Sequence, residues 1–126
     1  MCLSNITTKK AKTAKEDIPC FKVLTVNLYS PYQRYSYKLG RKATSIIEFD
    51  EPWDREEGIG RGLHYFVNMK GAKFDMNWFN CHLDLYMRTL IYKAVIPKGA
   101  EYYQGKDNYG HTAYVSNELI ILEKIV

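Results

Sequence analysis

The chain lacks any long apolar run. Its most apolar stretch, Leu119–Leu122, is far shorter than the ~20 residues that a membrane-spanning helix requires. The first six residues, Met1–Ile6, also lack the continuous apolar region of a secretory signal. We therefore expect an intracellular, cytoplasmic protein with no membrane partner.

The chain also lacks the cysteine pattern of a disulfide framework or a zinc site. It has 3 cysteines, an odd number, and none of them has Cys-x-x-Cys spacing. The scattered metal-ligating side chains show no zinc spacing either. They are Cys20, His64, Cys81, His82 and His111. We expect free thiols, no metal and no cofactor.

Signatures of nucleophilic catalysis and of phosphate loops are missing as well. There is no Gly-x-Ser-x-Gly elbow. The glycine-rich segment 58–62 precedes an apparent strand, whereas a phosphate-cradling loop follows a strand and opens a helix. Gly60 and Gly62 are therefore expected to permit positive φ or close packing, and Arg61 between them is a candidate binding residue.

Excess charge of one sign is small. The chain has 18 basic and 14 acidic residues, a net charge of +4, and residues 1–19 carry +2 of it. The remainder is nearly neutral and lacks the broad basic field that phosphate-backbone binding requires. A nucleic-acid-binding module remains an alternative, but a disfavoured one.

With 126 residues, the chain fits one domain. Residues 1–17 have few apolar positions and several lysines, which predicts a mobile basic arm. Residues 18–126 are predicted to form a single α+β domain. We expect a mixed, mostly antiparallel sheet of five to seven strands with one main helix packed on one face.

Hydrophobic periodicity places the elements of this domain. Apolar residues spaced by three and four predict a helix over 72–90, with Trp78, Phe79 and Leu83 buried on the sheet. Asn77 and Asn80 lower helix propensity, so two shorter helices or an end near Cys81 are the alternatives. Alternation and β-branched residues predict the strands. These cover 21–26, 35–39, 45–49, 63–67, 91–96, 102–103 and 118–126. A turn is expected at Pro97–Gly99.

His64 is the main candidate for catalysis. On a strand over 63–67 it lies beside Phe66, and Glu101 on a facing strand would be the partner of a general base. The simpler alternative is a hydrogen-bonded histidine that holds a loop, and we favour it because no partner geometry can be read from sequence.

Two surface segments are candidates for binding. Tyrosines alternate with basic residues over 29–42, a composition that stacks bases and neutralises phosphate but that also occurs at protein interfaces. The candidates there are Tyr32, Arg34, Tyr35 and Arg41. The acidic stretch 48–57 suits a basic protein groove. Its candidates are Glu51, Trp53, Asp54 and Glu56.

Four segments carry a resemblance to a known family. They are Tyr37–Gly40, Gly62–Phe66, Ile96–Tyr103 and Leu119–Leu122. With these Tyr-x-x-Gly, Gly-x-His-x-Phe and Ile-Pro-x-Gly patterns, nearly the whole chain resembles a family of small uncharacterised proteins of bacteriophages and their hosts. The family has a short helix where this chain has the longer segment 72–90. The resemblance implies a phage or prophage setting, in the host cytoplasm, and brings no established activity.

These observations favour a binding protein over an enzyme. In the setting that the resemblance implies, we expect an accessory protein that acts by stoichiometric binding and inhibits a host defence component. That component would be a nuclease effector or a nucleotide signal, so the partner is a host protein or a small nucleotide. The alternatives are a small nucleotide-handling enzyme of the ADP-ribosyl-transfer type, with His64 and Glu101, and a nucleic-acid-binding module.

Overall fold

Strands dominate the structure, a computed structural model that describes residues 5–6, 10–30, 35–49, 59–82, 88–106 and 110–125. Eleven strands and one helix lie within these residues. They are β1 (Asn5–Ile6), β2 (Lys12–Thr13), β3 (Ile18–Thr25), β4 (Lys42–Thr44), β5 (Glu48–Phe49), β6 (Ile59–Arg61), β7 (Leu63–Phe66), α1 (Met69–His82), β8 (Thr89–Ile96), β9 (Glu101–Lys106), β10 (Thr112–Ser116) and β11 (Glu118–Lys124).

One large sheet contains most of these strands. Eight of them follow the order β1-β9-β10-β7-β3-β8-β11-β4, β2 also pairs with β9, and β5 and β6 form a separate ladder. The ladders are antiparallel, and one isolated bridge, Leu39 to Ile121, is parallel. The predicted α+β class and mostly antiparallel sheet are therefore confirmed.

The predicted number of five to seven strands is wrong. The sheet is larger because four of its strands, β1, β2, β4 and β10, lie outside the predicted ranges. A two-residue strand is too short to show alternation, so its sequence carries no signal. The strand predicted over 35–39 is also wrong. Ser36 and Leu39 make isolated bridges there, and the Tyr35/Tyr37 alternation marks a loop that buries Tyr37.

The helix begins earlier than the range 72–90, at Met69, and ends at His82, in agreement with the alternative of an end near Cys81. Asn68 caps its start, because the Asn68 side-chain oxygen accepts a hydrogen bond from the Gly71 backbone N–H at 3.2 Å. In the last turn of α1, the side-chain oxygen of Asn80 accepts hydrogen bonds from the backbone N–H and the hydroxyl of Thr89, both at 2.9 Å. These bonds hold the first residue of β8 against α1, so residues 89–90 are strand.

Side-chain alternation along β3 separates two cores. On the face covered by α1, Val23 packs with Phe66 and Ile91 of the sheet and with Phe79 of the helix. On the other face, Leu24 belongs to a second cluster that includes Tyr65, Ile96, Leu119 and Ile121. The helix therefore covers one face of the sheet, as predicted. Phe79 is buried and Trp78 is half-buried in that contact, and Leu83 lies outside the described residues.

Two glycines allow close approach of neighbouring elements. A Cβ at Gly71 would lie 2.7 Å from a ring carbon of Phe66, so the first turn of α1 rests directly on that ring. Gly62 has a φ of 148°, and a Cβ there would clash with a methyl group of Val115. The expectation of close packing at the entrance to β7 is confirmed for Gly62.

Part of the N-terminal segment is docked on the sheet. Lys12 and Thr13 pair with Tyr102 and Glu101 of β9. Ala14 is 2% exposed, donates from its backbone N–H to the carbonyl of Ala100, and accepts at its own carbonyl from Gly99, each at 2.8 Å. The mobility of residues 1–17 stays a prediction. In the docked state, this segment supplies contacts to the second core.

No helix in the described part of the chain is long and apolar enough to cross a bilayer.

The burial of Ala14 leads to a test of how firmly the N-terminal segment is held. We expect Ala14→Glu to lower the free energy of unfolding by about 1–2 kcal/mol, since a carboxylate has no partner in an apolar site. The loss in the free energy of unfolding cannot exceed the free energy of docking, because the segment can detach while the rest of the domain stays folded. Urea unfolding measures it. Ala11→Glu makes the same substitution at an exposed position outside β2 and should change little; equal effects of the two substitutions would contradict docking.

Candidate functional site

The sheet is narrowly joined between β3 and β7. In the described residues these strands share a single register pair, Phe21 with Phe66, whereas β3 and β8 share eight. Backbone groups near this seam therefore need other hydrogen-bond partners if they are buried. The side chain of Lys22 supplies one of them.

Lys22 is buried at the seam, with 5% of its surface exposed. Its ammonium group donates a hydrogen bond to the backbone carbonyl oxygen of His64 in β7. The same nitrogen lies 5.6 Å from the centre of the Tyr37 ring, a cation–π distance. Lys22 thus joins β3, β7 and the loop that carries Tyr37.

Burial shifts the acid–base behaviour of this cluster. It lowers the pKa of Lys22 to about 8, and the charge of Asp75 on α1 opposes the shift. It also raises the pKa values of Cys20 and Tyr37 well above their usual range. The phenol oxygen of Tyr37 has no hydrogen-bond partner among the described residues. All three side chains are at least 95% buried, so the cluster is closed to a ligand in this conformation.

Next to the cluster, backbone hydrogen bonds hold the stretches 25–30 and 35–37 against each other. Backbone bonds join Thr25 to Tyr29, Ser30 to Tyr35, and Tyr37 to Leu28, at 2.8–2.9 Å. The Tyr35 and Tyr37 ring centres are 4.8 Å apart. Within the tyrosine-rich stretch 29–42, the Tyr37 ring is therefore buried in the core.

An open cleft lies between the N-terminal segment and β9. Its volume is about 520 Å³, within the range of small-molecule sites. It is lined by Lys12, Thr13, Lys15, Glu16, Ile18 and Tyr102. We call it the arm cleft, and residues 10–17 the arm.

The register explains why a lysine and an aromatic ring meet in the arm cleft. Lys12 and Tyr102 are direct partners in the β2–β9 ladder, and such partners lie on the same face of a sheet with their Cβ atoms about 5 Å apart. The Tyr102 ring packs edge-on against Tyr114 at 5.5 Å, and Tyr114 lies 5.9 Å from Tyr65. A row of rings thus supports Tyr102 from the core outwards.

The charge in the arm cleft is positive overall. Lys12 and Lys15 are exposed ammonium groups, and Glu16 is the one acidic side chain in the lining. The lining thus brings together two ammonium donors for an anion, the aromatic ring of Tyr102 and the apolar side chain of Ile18.

The described residues include five of the predicted site residues. Arg41 and Glu101 are exposed, Tyr35 is half-buried, His64 is buried, and Arg61 lies in β6 opposite Glu48. The other predicted site residues lie outside the described residues. These are Tyr32, Arg34, Glu51, Trp53, Asp54 and Glu56.

The fold does not make His64 and Glu101 neighbours in a ladder. His64 pairs with Val115 of β10, and Glu101 pairs with Thr13 of β2, so β10 lies between their strands. His64 is 4% exposed, and its Nδ1 lies 3.1 Å from the Gly62 carbonyl oxygen. A ring held this way matches a histidine that fixes the entrance to β7. The general-base role stays a prediction.

Sequence reasoning missed the arm cleft and Lys22. The lysines of the arm are visible in the sequence, but their pairing with β9 joins residues about ninety positions apart and leaves no local signal. Lys22 interrupts an otherwise apolar strand, and that interruption is a signal for a buried charge. Three or more His, Cys, Asp or Glu side chains do not converge as a metal site anywhere among the described residues.

Comparisons of the chain with protein-family models, with curated proteins and with solved structures found no match.

Lys22 allows a test by pH. Because its pKa is about 8 in the folded chain and 10.5 in the unfolded chain, the unfolded chain holds more protons between these values, and stability from this group rises with pH. Relative to Lys22→Met, the wild type should gain about 2 kcal/mol in free energy of unfolding between pH 8 and pH 10.

Urea unfolding of the two proteins across this pH range measures the gain. The difference between them largely removes the opposite contribution of the buried phenols and thiol, which both proteins contain. Lys93→Met, at an exposed position on the neighbouring strand, is the control and should show a constant difference. A Lys22→Met difference that is also constant would show that the ammonium is not desolvated.

Proposed function

We propose that the protein acts by stoichiometric binding of a small anionic ligand of the nucleotide class in the arm cleft. The observation that supports this is the meeting of Lys12, Lys15 and the Tyr102 ring in one cleft of about 520 Å³. Each of these groups alone is common on protein surfaces. Together they match the two parts of a nucleotide, its phosphate and its base.

The chemistry of each part is specific. Ammonium groups form charge-assisted hydrogen bonds with phosphate oxygens, which are stronger than neutral ones. A base stacked on an aromatic ring contributes about 1–3 kcal/mol. Tyr102 suits stacking because its contact with Tyr114 holds the ring in position before binding.

In the phage setting implied by the resemblance, such binding would withhold a nucleotide signal from a host defence component. This mode of action needs as many protein copies as ligand molecules. The rival partner is a host protein that meets the acidic stretch 48–57. Most of that stretch lies outside the described residues. The two lysines and the ring of the arm cleft are the observations that favour the nucleotide.

Isothermal titration calorimetry with ATP, cyclic AMP and inorganic phosphate tests the proposal. We expect one site per chain for a nucleotide and weaker binding of phosphate alone, because phosphate does not use Tyr102. Lys12→Glu and Lys15→Glu should each weaken nucleotide binding at least about tenfold, a change of about 1.4 kcal/mol. Tyr102→Leu keeps an apolar side chain against Tyr114 and should weaken nucleotide binding but not phosphate binding.

Lys70→Glu and Lys73→Glu are the matched controls. They make the same change of charge on the exposed side of α1, away from the arm cleft, and should leave affinity unchanged. An equal loss in these controls would show a general charge effect and no specific site. If a small amount of protein converts an excess of nucleotide, the protein is an enzyme and the stoichiometric reading is wrong.

A further inference from the structure

The arm cleft is built mainly from the arm itself. Lys12, Thr13, Lys15 and Glu16 form one wall, and Ile18 and Tyr102 form the other. Both ammonium groups in the lining therefore belong to the arm, while the aromatic ring belongs to the sheet. When the arm leaves β9, the two halves of the site separate.

The described attachment of the arm is small. Within the arm it consists of the two-residue ladder β2–β9, the two backbone bonds of Ala14, and a bond from the Lys98 backbone N–H to the Asp17 carboxylate at 2.9 Å. Before the arm, β1 adds a second two-residue ladder with β9. Ala14 is the buried side chain of this attachment, and Lys12, Thr13, Lys15 and Glu16 are exposed. Segments with few buried apolar contacts at a sheet edge open with far less free energy than the whole domain needs to unfold.

We infer that the arm is a strap whose docking on β9 is coupled to ligand binding. The inference rests on the proposed function. A nucleotide whose base lies on Tyr102 and whose phosphate engages Lys12 and Lys15 bridges the two walls and so favours the docked arm. By linkage, a docked arm favours the ligand to the same extent.

The size of the coupling follows from the fraction of chains with a docked arm. The apparent dissociation constant equals the intrinsic constant divided by that fraction. If half of the free chains have a docked arm, locking the arm in place lowers the dissociation constant twofold. A smaller docked fraction gives a larger effect.

Limited digestion with trypsin tests the coupling directly, because trypsin cleaves after lysine and the arm contains Lys10, Lys12 and Lys15. We expect saturating ATP to slow cleavage in the arm severalfold and to leave cleavage after Lys70 and Lys73 on α1 unchanged. Binding of ATP by calorimetry without slower arm cleavage would overturn the strap and leave the proposed function standing. Failure of ATP, cyclic AMP and phosphate to bind would overturn both.

A disulfide lock provides the second measurement. Thr13 and Glu101 are register partners across antiparallel strands, and their Cα atoms are therefore at a separation that a disulfide spans. The variant Thr13→Cys/Glu101→Cys is made in a Cys2→Ser/Cys81→Ser background. Its oxidised form should bind ATP at least twofold more tightly than its reduced form, and reductant should reverse the change.

A second lock away from the arm controls for the effect of any cross-link. Thr44 and Glu118 are register partners at the opposite edge of the sheet. In the same background, Thr44→Cys/Glu118→Cys should bind ATP equally in its oxidised and reduced forms. Equal affinity of the oxidised and reduced arm lock would show either that the arm is already fully docked in the free chain or that docking and binding are independent. Either result would overturn the strap.

Discussion

The fold depends on how one buried ammonium group is accommodated. Lys22 lies in the middle of β3, where an apolar residue would otherwise continue the core, and its side chain reaches the carbonyl of His64 across the seam between β3 and β7. A buried charge without partners costs several kcal/mol. Here the carbonyl of His64, the face of the Tyr37 ring and the charge of Asp75 offset that cost. The two halves of the sheet are thus held together partly by a side-chain contact, from Lys22 in β3 to the backbone of β7.

This arrangement decides how the two faces of the sheet are used. The face with Val23 and Phe66 is closed by α1, which is an ordinary apolar contact. The other face holds Lys22. In the described residues it is covered by the loop that carries Tyr37 and by the arm that carries Ala14. Because short segments cover this face, clefts form between them and the sheet. The arm cleft is one such place, and its chemistry follows from the residues that the arm brings to Tyr102.

Local sequence signals predicted the elements whose stability is local or strongly apolar. The three-and-four spacing around Trp78 and Phe79 located the helix, and the β-branched runs located β3, β8 and β11. The errors fall where long-range pairing overrides local pattern. The Tyr35/Tyr37 alternation resembles a strand, but Tyr37 is drawn into the core beside Lys22. Thr89 resembles the end of a helix, but its bonds to Asn80 begin a strand.

The sequence by itself determined the α+β class, the helix-covered face and the near-neutral charge of the domain, because apolar periodicity and composition express burial and charge directly. Only the tertiary structure decided which charged residues are inside and which rings and lysines share a cleft. Lys22 and Lys12 have the same chemistry in sequence. One is buried because its strand lies at the centre of the sheet, and the other faces a ligand-sized cleft because β2 pairs with a strand about ninety residues away.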